Sequence, residues 1–287
     1  MEQVGFIGLG MMGAPMAHRL HEAGFALVVQ DANASTLDTF VEAHPGTRAA
    51  ADPEAYARCE AVITMLPNSD VVEAVLDRVA PQLAPGTMVI DMSSSDPGRT
   101  RALAGRLADR QIVLLDAPVS GGVNKALSGT LAIMAGGDLE AYGCGKKLLA
   151  AMGTHLTHVG PVGAGHALKA LNNYVSMAAL IATAEAIHAG CAFGIDPGTV
   201  VDVINVSTGR NNTTENKARQ FMLSASFDSG FSLALAAKDV GIAAALGPTL
   251  GQRMGLAQYV RQMAGDASHA LGPNADHTEM YRYVGKE

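Results

Sequence analysis

A chain of 287 residues has room for one large or two ordinary domains, and 48% hydrophobic against 16% charged residues describes a packed chain, not a disordered one. A net charge of −7 with no basic run argues against nucleic acid or an anionic membrane surface as partner. Cys59, Cys144 and Cys191 lie far apart without CxxC or metal-type spacing, and none of the nine histidines falls in a Ser/His/Asp, HExxH or Cys/His arrangement, so no metal site and no hydrolase chemistry are expected.

The first strand pattern, Val4 to Ile7, follows no basic n-region or cleavage site, so no signal peptide is expected and a cytoplasmic location is. Gly8-Leu9-Gly10-Met11-Met12-Gly13 comes next, then a helical pattern through Met16 and Leu20 that ends at Gly24. A second strand, Phe25–Val29, leads to Asp31. Strand, GxGxxG turn, helix, strand and acid at this spacing form a dinucleotide-binding pattern. The glycines allow a tight turn and close backbone approach, and the helix N-terminus offers N–H groups and positive partial charge to a pyrophosphate. Asp31 can accept from both ribose hydroxyls and would repel a 2′-phosphate, so NAD is expected over NADP. The cofactor set read from this turn is Gly8, Leu9, Gly10, Met11, Met12, Gly13 and Asp31.

Further strands are expected at Ala61–Leu66, Thr87–Met92 and Ile112–Asp116. In an open parallel sheet the ligand lies beyond the carboxyl ends of the strands. That rule places Leu66, Pro67 and Ser94 along the cofactor groove. Ordinary strand-to-helix turns, with Ser95 or Asp96 capping a helix at Pro97, are the plainer alternative. After Asp116 come Ala117-Pro118-Val119-Ser120-Gly121-Gly122, small residues whose exposed N–H groups could hold a carboxylate, or which simply form a glycine-rich hairpin connection before Leu131–Ala135.

Strand alternation stops after Gly160, and a boundary near Pro161 divides the chain into residues 1–161, an α/β unit, and 162–287, an all-α unit. A long helix is expected from about Gly165 to Ala192. Its apolar run is interrupted by Glu185 and His188, which reads as a helix buried against its own domain or a partner subunit and not as a membrane span. Lys169 and Asn173, four residues apart, share one helix face: an acid/base lysine beside a substrate-binding amide, or a solvated lysine on an amphipathic helix. His166 and His188 read as structural. The polar run Ser207–Thr214 reads as a solvent loop, Lys238-Asp239 as a surface ion pair or helix-end charge, and the Asp276–Tyr283 stretch as a final packing helix.

Four blocks together resemble the β-hydroxyacid dehydrogenases, the family of 3-hydroxyisobutyrate dehydrogenase and tartronate semialdehyde reductase. They are Gly5–Met16, Asp116–Gly122, Gly163–Asn173 and Lys238-Asp239, spanning nearly the whole chain. The resemblance implies a Rossmann-like N-terminal domain, an all-helical C-terminal domain and an active site in the cleft between them. It also implies Lys169 as catalytic acid/base, Asn173 as substrate amide, and Ser120, Gly121 and Gly122 as carboxylate holders. Leu66, Pro67, Ser94 and Lys238 would contact the cofactor, with Asp31 where NAD-using members carry an acid. The implied reaction is reversible oxidation of a small 3-hydroxy acid to its semialdehyde, and the apolar long helix, whose buried stripe needs a partner, suggests a homodimer or homotetramer. Glyoxylate, succinic or tartronate semialdehyde reduction is the alternative within the family. An imine reductase is disfavoured because Lys169 is present, and a non-catalytic dinucleotide-binding protein ranks lower still. Lys125 and the Arg210–Thr214 run match the 3-hydroxyisobutyrate enzyme less well, which leaves the substrate's side group open.

Overall fold

A computed structural model describes residues 3–285. The chain divides into two compact units, Met1–Lys169 and Ala170–Glu287, and the division falls inside one long helix.

The first unit alternates strands and helices: β1 (Gln3–Ile7), α1 (Gly13–Glu22), β2 (Ala26–Gln30), α2 (Ala34–Ala43), β3 (Arg48–Ala49), β4 (Ala61–Thr64), α3 (Ser69–Val79), β5 (Met88–Asp91), α4 (Pro97–Ala108) and β6 (Val113–Asp116). Strands β1, β4 and β5 carry near-continuous buried runs such as Ala-Val-Ile-Thr, the composition of strands covered on both faces. They pair in parallel in the order β3-β2-β1-β4-β5-β6, the doubly wound order that the sequence pattern predicts. One core cluster packs Phe6, Met16, Leu20, Ile63 and Ile90; the other packs Tyr56, Leu76, Val89 and Leu103. Local signals agree with this arrangement. Gly24 ends α1 at φ +88°, and Asp96 caps α4 by accepting from the Arg99 amide ahead of Pro97.

Beyond β6 the sheet changes direction. β7 (Val119–Ser120), α5 (Gly122–Ser128), β8 (Leu131–Gly136), α6 (Leu139–Met152) and β9 (Gly153–Gly160) follow, with β8 antiparallel to β6 and β7 and parallel to β9. The two-residue strand β7 and the short α5 occupy the stretch whose plainer reading was a hairpin connection. Both are too short to leave a periodic signal, and Gly129 closes α5 in the left-handed region at φ +67°.

The second unit is built of α7 (Ala164–Ala192, whose first turns belong to the first unit), α8 (Pro197–Asn205), α9 (Asn212–Asn216), α10 (Leu233–Thr249), α11 (Gly255–Leu271) and α12 (Met280–Val284). Met177, Leu180 and Ile181 of α7 pack with Leu233, Val240, Val260 and Met280, and a smaller cluster joins Ile187 to Val201 and Met222. The end of the polar run is not a solvent loop. Asn211 caps α9 through the Thr213 and Thr214 amides, and both threonines are buried. Near the C-terminus Asp276 accepts from Ser229 Oγ, the Gly230 amide and both the amide and hydroxyl of Thr278. Burial alone would raise its carboxyl, yet hydrogen bonds from His277, Thr278 and Ser229 hold it well below the usual carboxylate range. Of the three thiols, Cys144 and Cys191 are exposed, whereas burial pushes Cys59 up to about 11 against the opposing charge of Arg48.

Two glycines test this packing with opposite signs. A Cβ on Gly165 would come 2.3 Å from the Met134 carbonyl oxygen, whereas on exposed Gly265 in α11 it would meet nothing within 4 Å. Gly265→Ala should therefore stabilise by about 0.5–1 kcal/mol, as helix propensity dictates, while Gly165→Ala should destabilise despite the same propensity gain; urea unfolding of both variants reads the signs. Asp276 supplies a pH test. A depressed carboxyl contributes stability that is present above its unfolded pKa of about 3.9 and is lost as pH falls through the folded value. The stability gap between wild type and Asp276→Asn should be widest at neutral pH and narrow below about pH 4, followed by thermal unfolding across pH.

Candidate active site

The turn after β1 uses its glycines for two different reasons. Gly8 sits at φ +101°, and a Cβ there would lie 2.3 Å from the Met65 carbonyl oxygen; on Gly13 it would lie 1.8 Å from the Gly8 carbonyl oxygen. Protein fills both spaces. A Cβ on Gly10 would meet nothing within 4 Å. That opening, at the N-terminus of α1, is where a dinucleotide's pyrophosphate fits, and Gly10 and Met11 are exposed there. Leu66, beyond β4, approaches the same turn, its Cδ2 being 3.1 Å from the Cβ position of Gly8.

Asp31 stands just past β2, half-buried. Its Oδ2 accepts from the Leu9 amide at 2.7 Å and its Oδ1 from the Asn33 amide at 2.8 Å. The acid thus holds the glycine turn and keeps a lone pair on each oxygen for ribose hydroxyls. Cradle, helix end and acid together fit NAD.

The carboxyl ends of β4 and β5 are joined by one buried carboxylate. Asp91 accepts from Thr64 Oγ1 at 2.9 Å, the Ser93 amide at 3.0 Å and Ser95 Oγ at 2.8 Å, and Ser93 Oγ accepts from the Leu66 amide at 2.9 Å. This leaves Pro67 exposed and Ser94 half-buried at the strand ends.

A second buried carboxylate, at the end of β6, holds the start of α7. Asp116 Oδ1 accepts from the Gly163 amide at 2.7 Å and Oδ2 from the His166 amide at 2.8 Å, satisfying N-terminal donors of α7 from across the fold. Burial pushes this carboxyl up, opposed by His166 and by the two amides. The approach is close enough to demand glycine on both sides. A Cβ on Gly136 would lie 2.5 Å from Asp116 Oδ1, and one on Gly165 would lie 2.8 Å from the Asp116 carbonyl oxygen. The His166 ring is fully buried beside it, with Nδ1 at 2.9 Å from Thr100 Oγ1. Thr100 donates its only hydroxyl proton to the Asp96 carbonyl, so Nδ1 carries the proton and donates to Thr100. His166 Nε2 then faces Asp91 Oδ2 at 3.7 Å.

Lys169 follows one turn after His166, and its Nζ donates to the Val119 carbonyl at 2.7 Å. Val119 directly precedes Ser120, Gly121 and Gly122, and the two glycines lie at φ +136° and +68°, values that glycine adopts readily and other residues do not. The structure therefore brings together Lys169, Ser120, Gly121 and Gly122. Lys125 folds back over Gly121, its Cδ 2.5 Å from that residue's Cβ position.

In the second unit, Asn173 Nδ2 donates to Asp239 Oδ2 at 2.6 Å, which orients the carboxamide, and Lys238 Nζ lies 3.7 Å from Asp239 Oδ1. Asp239 is 2% exposed, so its pairing with Lys238 is not a surface ion pair. Sequence reasoning missed Asp91, Asp116, Thr100 and Asp239 as the groups that hold the named residues in place. Only position at strand ends could have marked the first two.

Residues 3–160 match the NAD binding domain of 6-phosphogluconate dehydrogenase, and residues 163–284 match the NAD-binding region of NADP-dependent 3-hydroxyisobutyrate dehydrogenase. The chain is 38% identical over 252 residues to a NAD-dependent L-serine dehydrogenase of Pseudomonas aeruginosa, covering 85% of this chain and 84% of that one. It is 36% identical over 250 residues to human mitochondrial 3-hydroxyisobutyrate dehydrogenase, covering 84% and 74%. Among solved structures, Mycobacterium tuberculosis 3-hydroxyisobutyrate dehydrogenase with L-serine superposes at a TM-score of 0.93 with 31% identity over 100% of both chains. On this fold, with this dinucleotide cradle and these relatives, the chain belongs to the β-hydroxyacid dehydrogenase family of NAD-dependent oxidoreductases.

Proposed function

We propose that the chain reversibly oxidises a small 3-hydroxy acid to its semialdehyde, with Lys169 as acid/base. The contact that carries this reading is Lys169 Nζ on the Val119 carbonyl, which sets the amine beside the amides of Ser120, Gly121 and Gly122. Gly8 through Gly13 and Asp31 hold NAD, with Leu66, Pro67, Ser94 and Lys238 contributing to its binding. The bound cofactor supplies a hydride acceptor. Ser120 and the two glycine amides hold the substrate carboxylate. Lys169 takes the hydroxyl proton during oxidation and returns it to the developing alkoxide during reduction. Its bond to Val119 fixes where the amine points, and Asp239 leaves Asn173 with one N–H to donate to a substrate oxygen. Serine is itself a 3-hydroxy acid, and the Pseudomonas relative and the Mycobacterium complex favour it as a second reading of the substrate.

The same proposal covers assembly and location. Helix α7 is long and apolar enough to cross a membrane by length and composition. It also exposes Leu168 and Val175, with Phe193 exposed just past its end, and Val203 of α8 and Val206 just past α8 are exposed as well. With Lys169, Asn173 and Glu185 on α7 as well, a second copy of a cytoplasmic chain is the better cover, giving a homodimer or homotetramer.

Absorbance of reduced nicotinamide, followed with NAD and NADP against 3-hydroxy acids and semialdehydes, tests the reaction; silence across the panel would overturn it. Lys169→Ala should lower kcat by about two or more orders of magnitude, the usual range for an acid/base group, and steady-state kinetics that kept most turnover would remove the assignment. Asp31→Asn keeps an acceptor for Leu9 and removes the charge, so the NADP-to-NAD ratio of kcat/KM should rise about tenfold, equivalent to about 1.4 kcal/mol. An unchanged ratio would refute the charge argument.

A further inference from the structure

His166 is a buried histidine that packing alone does not explain. Its ring lies among polar groups from three other elements: Thr100 of α4, Asp91 at the end of β5 and Asp116 at the end of β6. All four residues belong to the first unit. Nδ1 is settled as a donor, because the Thr100 hydroxyl it meets at 2.9 Å gives its own proton to the Asp96 carbonyl. Nε2 has no hydrogen-bond partner among the described residues, and it faces Asp91 Oδ2 at 3.7 Å. That distance is too long for a hydrogen bond, yet close enough for strong electrostatic contact where water is excluded. A leucine would fill the same space without desolvating a polar ring. An interior histidine with one nitrogen short of a partner calls for a reason beyond filling.

The two sides of the ring show what it joins. Asp91 is the hub of the β4 and β5 ends, accepting from Thr64, Ser93 and Ser95, while Ser93 accepts in turn from the Leu66 amide. Ser93 and Ser95 flank Ser94, so the proposed cofactor contacts Leu66 and Ser94 both depend on this carboxylate. On its other side His166 belongs to the first turn of α7, where its own amide donates to Asp116 Oδ2 at 2.8 Å. Lys169 follows three residues on, about 4.5 Å along the helix axis, and donates to the Val119 carbonyl. The imidazole therefore spans from the hub beneath the cofactor contacts to the turn that carries the proposed acid/base. A ring enclosed by buried carboxylates holds its direction strongly, because rotation would strip donors from the interior.

We propose that His166 is a positioning residue for the proton transfer, fixing the α7 turn that carries Lys169 against the strand ends that carry the cofactor contacts. The proposal rests on the reaction and on the role of Lys169 given above. Asp91 keeps three donors without the ring, so the cofactor contacts stay in place when His166 is replaced. What is lost is the link between those contacts and the amine. The effect belongs in turnover and not in cofactor affinity.

His166→Leu keeps the bulk and deletes both nitrogens. At saturating NAD and substrate its kcat should fall about ten- to a hundredfold, the loss that follows a small displacement of a reacting group, while KM for NAD stays within about threefold. His166→Gln, whose amide reaches the place of Nε2, should recover most of that loss. His166→Asn, which supplies only the donor to Thr100, should recover less. Thr100→Val leaves the ring in place without its anchor; it should lower kcat in the same direction and more weakly, and it carries the test if the leucine variant does not fold. A kcat within about twofold of wild type, per folded molecule, would mark a core histidine and overturn the proposal, as would a loss confined to KM for NAD. If wild type turns over no compound in the panel, the reaction assignment falls and the exposure of the Lys169 amine decides whether the ring holds it. Brief acetylation read by mass spectrometry should then label Lys169 at least about threefold faster in His166→Leu than in wild type, and near the wild-type rate in His166→Gln. Equal labelling of Lys169 in all three would overturn the positioning role.

Discussion

The Asp116 carboxylate is the constraint on which the rest of the site depends. It is delivered by the last residue of β6, buried, and aimed at amides from the first turn of α7. A helix start must find partners for its free N–H groups, and here a charged side chain from the sheet supplies them. Once that is in place, much of the local geometry follows. Gly136 and Gly165 must lack side chains, His166 must lie inside, and Lys169 emerges within reach of the Val119 carbonyl. Val119 lies three positions after Asp116 and Lys169 three positions after His166, so strand end and helix turn are tied at both ends of the same short interval.

The two units share a device: a buried carboxylate that orients a neutral or cationic neighbour. Asp91 gathers Thr64, Ser93 and Ser95, Asp116 gathers the start of α7, and Asp239 turns the Asn173 carboxamide. None of these acids is exposed. Hydrogen-bonded anions in a low-dielectric interior hold direction strongly, because any rotation leaves a buried charge with fewer donors. Several of the groups proposed to touch cofactor and substrate are, by contrast, half-buried or exposed, as Gly10, Asp31, Ser120 and Lys169 are.

Much of the fold was legible in the residues because its signals are local and repeated. Apolar runs of four or five residues, glycine turns and capping residues such as Asp96 carry strand, turn and helix in their own spacing. The glycine turn and Asp31 were legible for the same reason. Two-residue strands such as β7 left no period to read, and the buried threonines of α9 looked like a loop because polarity dominates their stretch. The supporting acids were invisible for another reason. Asp116 is separated from His166 by 50 positions and Asn173 from Asp239 by 66, and no one-dimensional pattern pairs residues that far apart.

The bond between Asp31 and the Leu9 amide bears on how such a chain could change cofactor. The residue proposed to repel a 2′-phosphate is also the acceptor that keeps the glycine turn in shape. A lineage drifting toward the phosphorylated dinucleotide cannot simply exchange the acid for a cation, because Leu9 N–H, on a residue that is 2% exposed, would be left buried and unpaired. The route requires a compensating acceptor first and the cation second. Cofactor preference is thereby guarded by the order in which substitutions can arrive.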